Sequence, residues 1–320
     1  MSTPLVTVIV PGRDVQDYAA DAISSLLEQS LTGWRAILVD DGSTDATGML
    51  FDHAAASDSR FRVLHHARPR GLGAARNAGL DVVETPLVAF LDADDIMTPR
   101  ALEVLSAAVT DSGSDFAVGA YVRLRPDALG RYAPGPVQPW VAAATDPARR
   151  RTTLADHPEA SGNIVAWSKV SRIEFWRRNE LRFPEGHLYE DQIVAQRMYT
   201  RARAFDVVPD VVVHWRERAD GSSITQHTAQ RPVLAEYLTA MQSGLAVLDA
   251  AGHREAARAR VRLILDMDVP PLIRLAQVHP DAEYRRTLGA FVRELVARAE
   301  ADTVPLTPES APLREAALLW

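Results

Sequence analysis

The chain has 320 residues, 47% apolar and 24% charged, the balance of a folded protein made of one enlarged domain or two smaller ones. It contains no cysteine, which excludes disulfide scaffolds, thiolate metal sites, iron–sulfur clusters and cysteine nucleophiles. A net charge of −7 argues against a general nucleic-acid binder, and no apolar run approaches the roughly 18–20 residues of a membrane-spanning helix.

Met1-Ser2-Thr3-Pro4 lacks the basic flank of a signal peptide, so the cytoplasm is the expected compartment. Strand and helix signals then alternate over the first hundred residues. Val6–Val10 is a β-branched run closed by Pro11-Gly12, a buried parallel strand with its exit loop. Apolar residues at helical spacing (Ala19, Ile23, Leu26, Leu27) predict a helix over 17–29. Ala36–Val39 predicts a second strand, broken by Asp40-Asp41-Gly42, after which Ser43 or Thr44 is placed to cap a helix. A third strand is expected over Arg62–His65, a small-residue helix over Leu72–Leu80 and a fourth strand over Leu87–Leu91. This alternation predicts a doubly wound, mainly parallel sheet, whose ligands bind beyond the carboxyl ends of its strands.

The proline-rich stretch 121–158 reads as an insertion or flap. Its basic run, Arg149–Arg151, is either a solvated face or an attractor for a phosphate-bearing polymer. Helices are predicted over 163–178 and 191–202, and a strand over Val207–Trp215. From about Gln230 no strand signal remains, and the helical periodicity of 233–265 and 281–300 predicts an α-helical C-terminal region. The apolar Ala316–Trp320 reads as a boundary inside a longer chain.

Asp92-Ala93-Asp94-Asp95 directly follows an apolar strand, and its carboxylates repel one another unless a cation or hydrogen-bond donors compensate. Hard oxygen ligands there suit Mg²⁺ or Mn²⁺ held with a diphosphate, and they equally suit the acidic start of a helix after Thr98-Pro99. Asp40–Asp45 is a turn with an N-cap, or a set of acceptors for a nucleobase imide and ribose hydroxyls. Gly71-Leu72-Gly73-Ala74-Ala75-Arg76 puts Arg76 where the dinucleotide fingerprint needs its third glycine. His214 at a strand end is a third metal ligand or a packed histidine. Lys169 is the single lysine among 35 basic residues.

Together these segments resemble the family 2 glycosyltransferases of the GT-A fold. Val8-Ile9-Val10-Pro11, Val39–Asp45, Ala75-Arg76-Asn77-Ala78-Gly79 and Phe90–Asp95 stand in the family's order. The resemblance continues through Trp167-Ser168-Lys169, Phe183–Gly186, Tyr189-Glu190-Asp191, Trp215–Arg218 and Gly221–Thr225. It covers residues 4–226, and its later segments are most similar to enzymes that decorate bacterial wall polymers such as teichoic acids. It implies a Rossmann-like, mainly parallel mixed sheet flanked by helices over residues 1–226, followed by a helical region over 227–320.

The resemblance also implies roles. Pro11, Asp40 and Asp41 line a uridine pocket and Arg76 approaches the nucleotide. Asp92, Ala93 and Asp94 form the Asp-x-Asp, with Asp94 the direct metal ligand. Asp191, beside Glu190, is the catalytic base, and Arg216, Arg218, Ser222 and Ser223 belong to a loop over the diphosphate. Lys169, the one lysine of an arginine-rich chain, is on that compositional ground either a contact to acceptor or sugar or a chance survivor. One departure is plain: Gly12-Arg13-Asp14 stands where the family usually carries an aromatic and an asparagine, so a uracil-stacking ring is missing.

The implied activity is metal-dependent, inverting transfer from a UDP-sugar to a hydroxyl of a cell-surface glycopolymer or lipid-linked glycan, with Mn²⁺ or Mg²⁺ as cofactor. Peripheral association with the inner membrane face and self-association through the C-terminal helices are expected, and no nucleic acid. The competing readings are a catalytically silent nucleotide-sugar-binding module and a nucleotidyltransferase. The latter should lead with a glycine-rich, arginine-containing loop, for which Pro11-Gly12-Arg13 is too short.

Overall fold

The computed structural model describes residues 4–127, 129–219, 221 and 227–320. Strands β1 (Val6–Gly12), β2 (Trp34–Asp40), β3 (Phe61–His65), β4 (Leu87–Phe90), β5 (Ile96–Met97), β6 (Phe116–Pro126), β7 (Tyr132–Val137), β8 (Arg149–Thr152), β9 (Lys169–Arg172) and β10 (Phe205–Arg216) form one sheet. Its order is β3-β2-β1-β4-β9-β6-β10-β5, with β7 on β6 and β8 on β10. Every residue of β1 and of β4 is buried, as strands covered on both faces require.

β1 pairs in parallel with β2 and β4, and β2 with β3. β9 runs antiparallel between β4 and β6, while β6 and β10 are parallel. The GT-A architecture of a mainly parallel mixed sheet is therefore present. Helices α1 (Ala19–Leu27), α2 (Thr47–Ser57), α3 (Leu72–Asp81), α4 (Ala101–Ser112), α5 (Pro139–Thr145), α6 (Ile173–Arg178) and α7 (Asp191–Arg201) accompany the sheet. The C-terminal region is α8 (Arg231–Ala250), α9 (Arg254–Leu263), a π-turn (Ile264–Asp268), α10 (Val269–Val278), α11 (Ala282–Ala301) and α12 (Ala311–Leu318). It has its own apolar cluster around Leu245, Ile264, Tyr284 and Phe291, while Leu248, Ala256 and Ala257 join the core of the sheet. No helix of the described residues is long and apolar enough to cross a membrane.

Four local expectations are corrected. The helix over 163–178 is instead a loop, then β9, then α6. β9 is four residues, Lys-Val-Ser-Arg, with a single apolar member, too short to carry a strand signal, and it fills the gap between β4 and β6. The stretch 121–158 is no loose insertion: β6, β7, α5 and β8 lie in it, and the prolines of β7 are tolerated because that strand is exposed at an edge. Arg149–Arg151 forms β8, where Arg150 and Arg151 donate to the Asp111 and Ser112 carbonyls. The basic run thus satisfies orphan carbonyls at the end of α4.

Ser43 and Thr44 do not cap α2. Ser43 Oγ accepts from Asp14 N–H (3.1 Å), and Thr44 donates to Asp14 Oδ1, clamping the β1–α1 loop. Asp45 takes the capping role by accepting from Thr47 N–H at 2.9 Å. The expected helix over 233–265 breaks at Gly252, whose φ of 75° is left-handed.

Gly73 is the contact on which the site's geometry turns. An added Cβ would lie 2.1 Å from the Pro184 carbonyl oxygen. One turn on, Asn77 donates to Phe183 O (2.9 Å) and accepts from Phe183 N–H (3.0 Å), locking α3 against the segment that leads into α7. Gly73→Ala is expected to cost about 1–3 kcal/mol through this overlap. Thermal unfolding should show a lowered Tm, and an unchanged Tm would mean that the backbones are not in close contact.

Candidate active site

An open cavity of about 790 Å³ lies at the carboxyl ends of β1 and β4, where strand order reverses around β1. Pro11, Asp41, Arg76, Asp92, Ala93, Asp94, Glu190, Asp191 and Arg218 all line it. The expectations from sequence are thus brought together from segments far apart in the chain.

Asp41 shapes one wall. Its carboxylate accepts from Arg70 N–H (2.9 Å) and Gly71 N–H (2.8 Å) and pairs with His66 Nδ1 (2.6 Å), which fixes the loop into α3. Asp40 does not line the cavity. It accepts from Ser43 N–H and pairs with His65, each at 3.0 Å, so its work is to hold the turn.

Arg76 is 1% exposed and bridges two carboxylates: Asp92 at 2.6 Å, and Glu190 through a second, shorter contact. Asp92, Glu190 and Asp191 hold its pKa above the ordinary arginine value against the cost of burial. Asp94 Oδ2 accepts from Arg218 Nε at 2.7 Å. Burial raises the Asp94 pKa, Arg218 opposes that rise and Asp92 adds to it. Asp95 accepts from Arg216 N–H at 2.7 Å, and its other carboxylate oxygen is buried without a partner.

These residues fit a divalent cation. Asp92 and Asp94 each keep one carboxylate oxygen with no hydrogen bond among the described residues, and the crowded charge beside the orphaned Asp95 oxygen favours a cation. The described residues contain no group of three or more His, Cys, Asp or Glu able to hold a metal alone. An ion there would rest on one or two carboxylates, with substrate phosphates completing its shell. His214 pairs in the β10–β5 ladder and does not line the cavity.

Across the cavity, Asp191 opens α7 and Glu190 immediately precedes it. Burial lifts the Asp191 pKa to about 6, with Arg76 opposing and Asp92 reinforcing. Burial lifts Glu190 to about 7 against the pull of Arg76, with Asp191 adding to the rise. Glu190 is committed to Arg76, whereas the Asp191 side chain has no hydrogen bond among the described residues and is partly open to the cavity.

Two expected contacts move behind the site. Arg216 is buried beneath it, donating to the Asp94 carbonyl and to Asp21 (both 2.7 Å), and does not line the cavity. Lys169 lies behind Asp191 in the sheet, 2% exposed, not in the cavity. Ser222 and Ser223 lie outside the described residues, as does the expected division at 226/227. The sequence reading missed Tyr121, Arg123, Trp140, Trp167, Trp215, Tyr237, Arg260 and Asp268, which also line the cavity. The alternation of β6, which sends Tyr121 and Arg123 to one face, was the available signal for two of them.

The fold is shared with residues 1–349 of S. aureus TarS, solved in complex with UDP-GlcNAc: TM-score 0.75, 20% identity, covering 98% of this chain and 87% of that one. Fold and site together define a glycosyltransferase of GT-A type. Residues 7–171 match the model for Glycosyl transferase family 2, and the chain belongs to that family. Among curated relatives, glycosyltransferase GlyG of Streptococcus pneumoniae is 27% identical over 217 residues, 67% of this chain and 71% of GlyG. The Escherichia coli UDP-Glc:alpha-D-GlcNAc-diphosphoundecaprenol beta-1,3-glucosyltransferase WfgD is 32% identical over 121 residues, 38% of this chain and 47% of WfgD. The match thus spans less than half the length of WfgD.

Lys169 acts through its surroundings. Its ammonium donates to Asn163 O (2.9 Å), Asn163 Oδ1 (2.7 Å) and Val165 O (2.6 Å), using all three protons to pin the loop before β9. Burial pushes its pKa down to about 7, partly offset by Asp191. A planar guanidinium cannot reproduce that tripod in the same space. Both Lys169→Met and Lys169→Arg should therefore lose about 1–3 kcal/mol in denaturant titrations. Wild-type stability in Lys169→Arg would show that the ammonium geometry is dispensable.

Proposed function

We propose that the enzyme is a metal-dependent, inverting transferase that moves a sugar from a UDP-sugar to a hydroxyl of a cell-surface glycopolymer or its lipid-linked precursor. One observation carries this reading. Asp191, with no side-chain hydrogen bond among the described residues, lines the cavity that also holds Asp92 and Asp94, and buried Arg76 ties Asp92 to Glu190, the residue before Asp191. The donor class draws support from WfgD, whose name specifies UDP-Glc, and from the UDP-GlcNAc bound to TarS. The acceptor class draws support from the diphosphoundecaprenol-linked sugar in the WfgD name. We also propose residues 1–226 as the transferase domain, with 227–320 completing the cavity wall through Tyr237, Arg260, Met267 and Asp268.

In this reading Pro11, Asp41, Gly71 and Leu72 wall the nucleoside. Asp94 and Asp92 would hold Mn²⁺ or Mg²⁺, which would supply neutralisation of the charge that gathers on the departing diphosphate. Arg218, 2.7 Å from Asp94, stands ready to share that role. Asp191 takes the proton of the acceptor hydroxyl as its oxygen bonds to the anomeric carbon. The bond to the diphosphate oxygen breaks, and its electron pair leaves with UDP. Glu190 keeps Arg76 in place and is a positioning residue.

A single displacement inverts the anomeric centre, so NMR of the product should show the configuration opposite to that of the donor. Retention would exclude Asp191 as a single-displacement base. Asp191→Asn should lower kcat by about 10²–10⁴-fold with UDP affinity unchanged. Asp94→Ala should abolish the Mn²⁺-dependent part of UDP binding measured by calorimetry.

The base works only when ionised. With Asp191 at about 6 and adjacent Glu190 at about 7, kcat/KM should fall as pH drops through this range. A profile flat down to pH 4 would contradict a buried carboxylate base.

A further inference from the structure

Lys169 is a buried cation whose hydrogen-bond partners leave its charge unanswered. It is 2% exposed, and its three bonds end on neutral oxygens: Asn163 O, Asn163 Oδ1 and Val165 O. The ring of Tyr199, on α7, lies 5.6 Å from the ammonium and is neutral as well. Three acceptors at 2.6–2.9 Å call for three N–H donors, so this tripod selects the ammonium over the neutral amine. A buried ammonium without a counter-charge is costly, and the carboxylate that acts on Lys169 is Asp191.

The two periodicities bring these groups together. Lys169 and Ser171 alternate onto one side of β9, while Asp191, Val194, Ala195 and Met198 recur at helical spacing along one side of α7. Both sides line one small space of about 10 Å³, at the lower limit for a single water. Of the described residues around it, Lys169 and Asp191 alone are charged, and the Ser171 hydroxyl is engaged by Trp176 Nε1 at 2.7 Å. Charges facing each other across so little water are weakly screened.

The remaining groups around Asp191 do not replace this contact. Arg76 on α3 is the stronger cation at Asp191, yet it spends its hydrogen bonds on Asp92 and Glu190. Asp92 and Glu190 themselves add negative charge, and Tyr189 stays neutral because burial pushes it up to about 12. Lys169 has no second carboxylate to serve.

We infer that Lys169 is a positioning residue for the base: its ammonium, fixed by the loop before β9, is the counter-charge that keeps the Asp191 carboxylate ionised and able to take the acceptor proton. It acts from behind the catalytic cavity, which it does not line. The same tripod joins this charge to the cavity wall, because Gly162, Ile164, Val165 and Trp167 of that loop line it. This rests on the transferase reading and assigns the group that tunes its base.

Coupling between two charges is reciprocal, so it is readable from either end. The chain has one lysine, which gives a single side-chain NMR signal after isotope labelling. That signal is titrated in the full chain and in Asp191→Asn, which keeps the side chain's shape and removes its charge. Its midpoint should drop by about half a pH unit or more in Asp191→Asn. At the other end, the acid limb of the kcat/KM profile should move up by about as much in Lys169→Met. In Lys169→Arg, which loses the tripod but keeps a cation, the limb should stay near its wild-type position. A merely structural lysine would lower Tm in both variants and leave the limb unmoved.

The inference is overturned if the lysine signal follows one curve in both proteins, whether or not it titrates, or if a folded Lys169→Met keeps the wild-type limb. Should Lys169→Met not fold, the Asp191→Asn comparison decides alone. Full turnover in Asp191→Asn would instead count against the transferase reading's base, and the lysine titration would still decide whether the two charges are coupled.

Discussion

The site is organised by a guanidinium taken out of water. Arg76, 1% exposed, stands between Asp92 at the end of β4 and Glu190 at the start of α7. Asp92, Asp94, Asp95, Glu190 and Asp191 would otherwise gather negative charge in a poorly solvated space, and acids so placed take up protons instead of ionising. Breaking such a buried pair costs on the order of 3–5 kcal/mol, because the partner left behind keeps its desolvation penalty. Arg76 therefore sets both the distance between the acids at the end of β4 and those at the start of α7 and their willingness to be charged. Its own position depends on the close approach at Gly73, where a side chain would collide with the Pro184 carbonyl.

Much of this was legible in the sequence, and the limits of that legibility have physical causes. Strands β1, β2 and β4 announce themselves through β-branched or apolar runs ended by Pro11-Gly12, Asp40-Asp41-Gly42 and Asp92, and these exits carry the family likeness. Helix α7, expected over 191–202, is present over Asp191–Arg201. β9 was not visible, because its four residues include one apolar side chain and only their pairing with β4 and β6 makes them a strand. Asp40 and Arg216 illustrate a second limit. Both occupy motif positions, yet Asp40 holds a turn and Arg216 braces the Asp94 backbone from beneath, which only side-chain direction reveals. Asp191 and Glu190 are adjacent in sequence and divide the work because one is tied to Arg76 and the other is open to the cavity.

The aromatic wall shows a third limit. Tyr121, Trp140 and Tyr237 carry no motif, and Trp167 and Trp215 stand in segments of the family likeness without a site role, so nothing local marks the five as one surface. The C-terminal helices join it through the π-turn at Ile264–Asp268, which places Met267 and Asp268 in the cavity wall. An extra residue in a helical turn redirects side chains at functional sites, and here it lets Asp268 meet both Arg260 and Tyr237. The helical region is thus part of the site as well as a neighbour with its own apolar cluster.

Charge distribution gives the two sides of the cavity different chemistry, although the chain is acidic overall. At the end of β4, carboxylates outnumber the cations that reach them among the described residues, so the proposed divalent ion would restore the balance. Around Arg123 the balance reverses: the guanidinium sits beside two indoles, and Glu217 is already engaged by Arg125. The orphaned NH₂ of Gln192, next to Asp191, lines the same cavity as both.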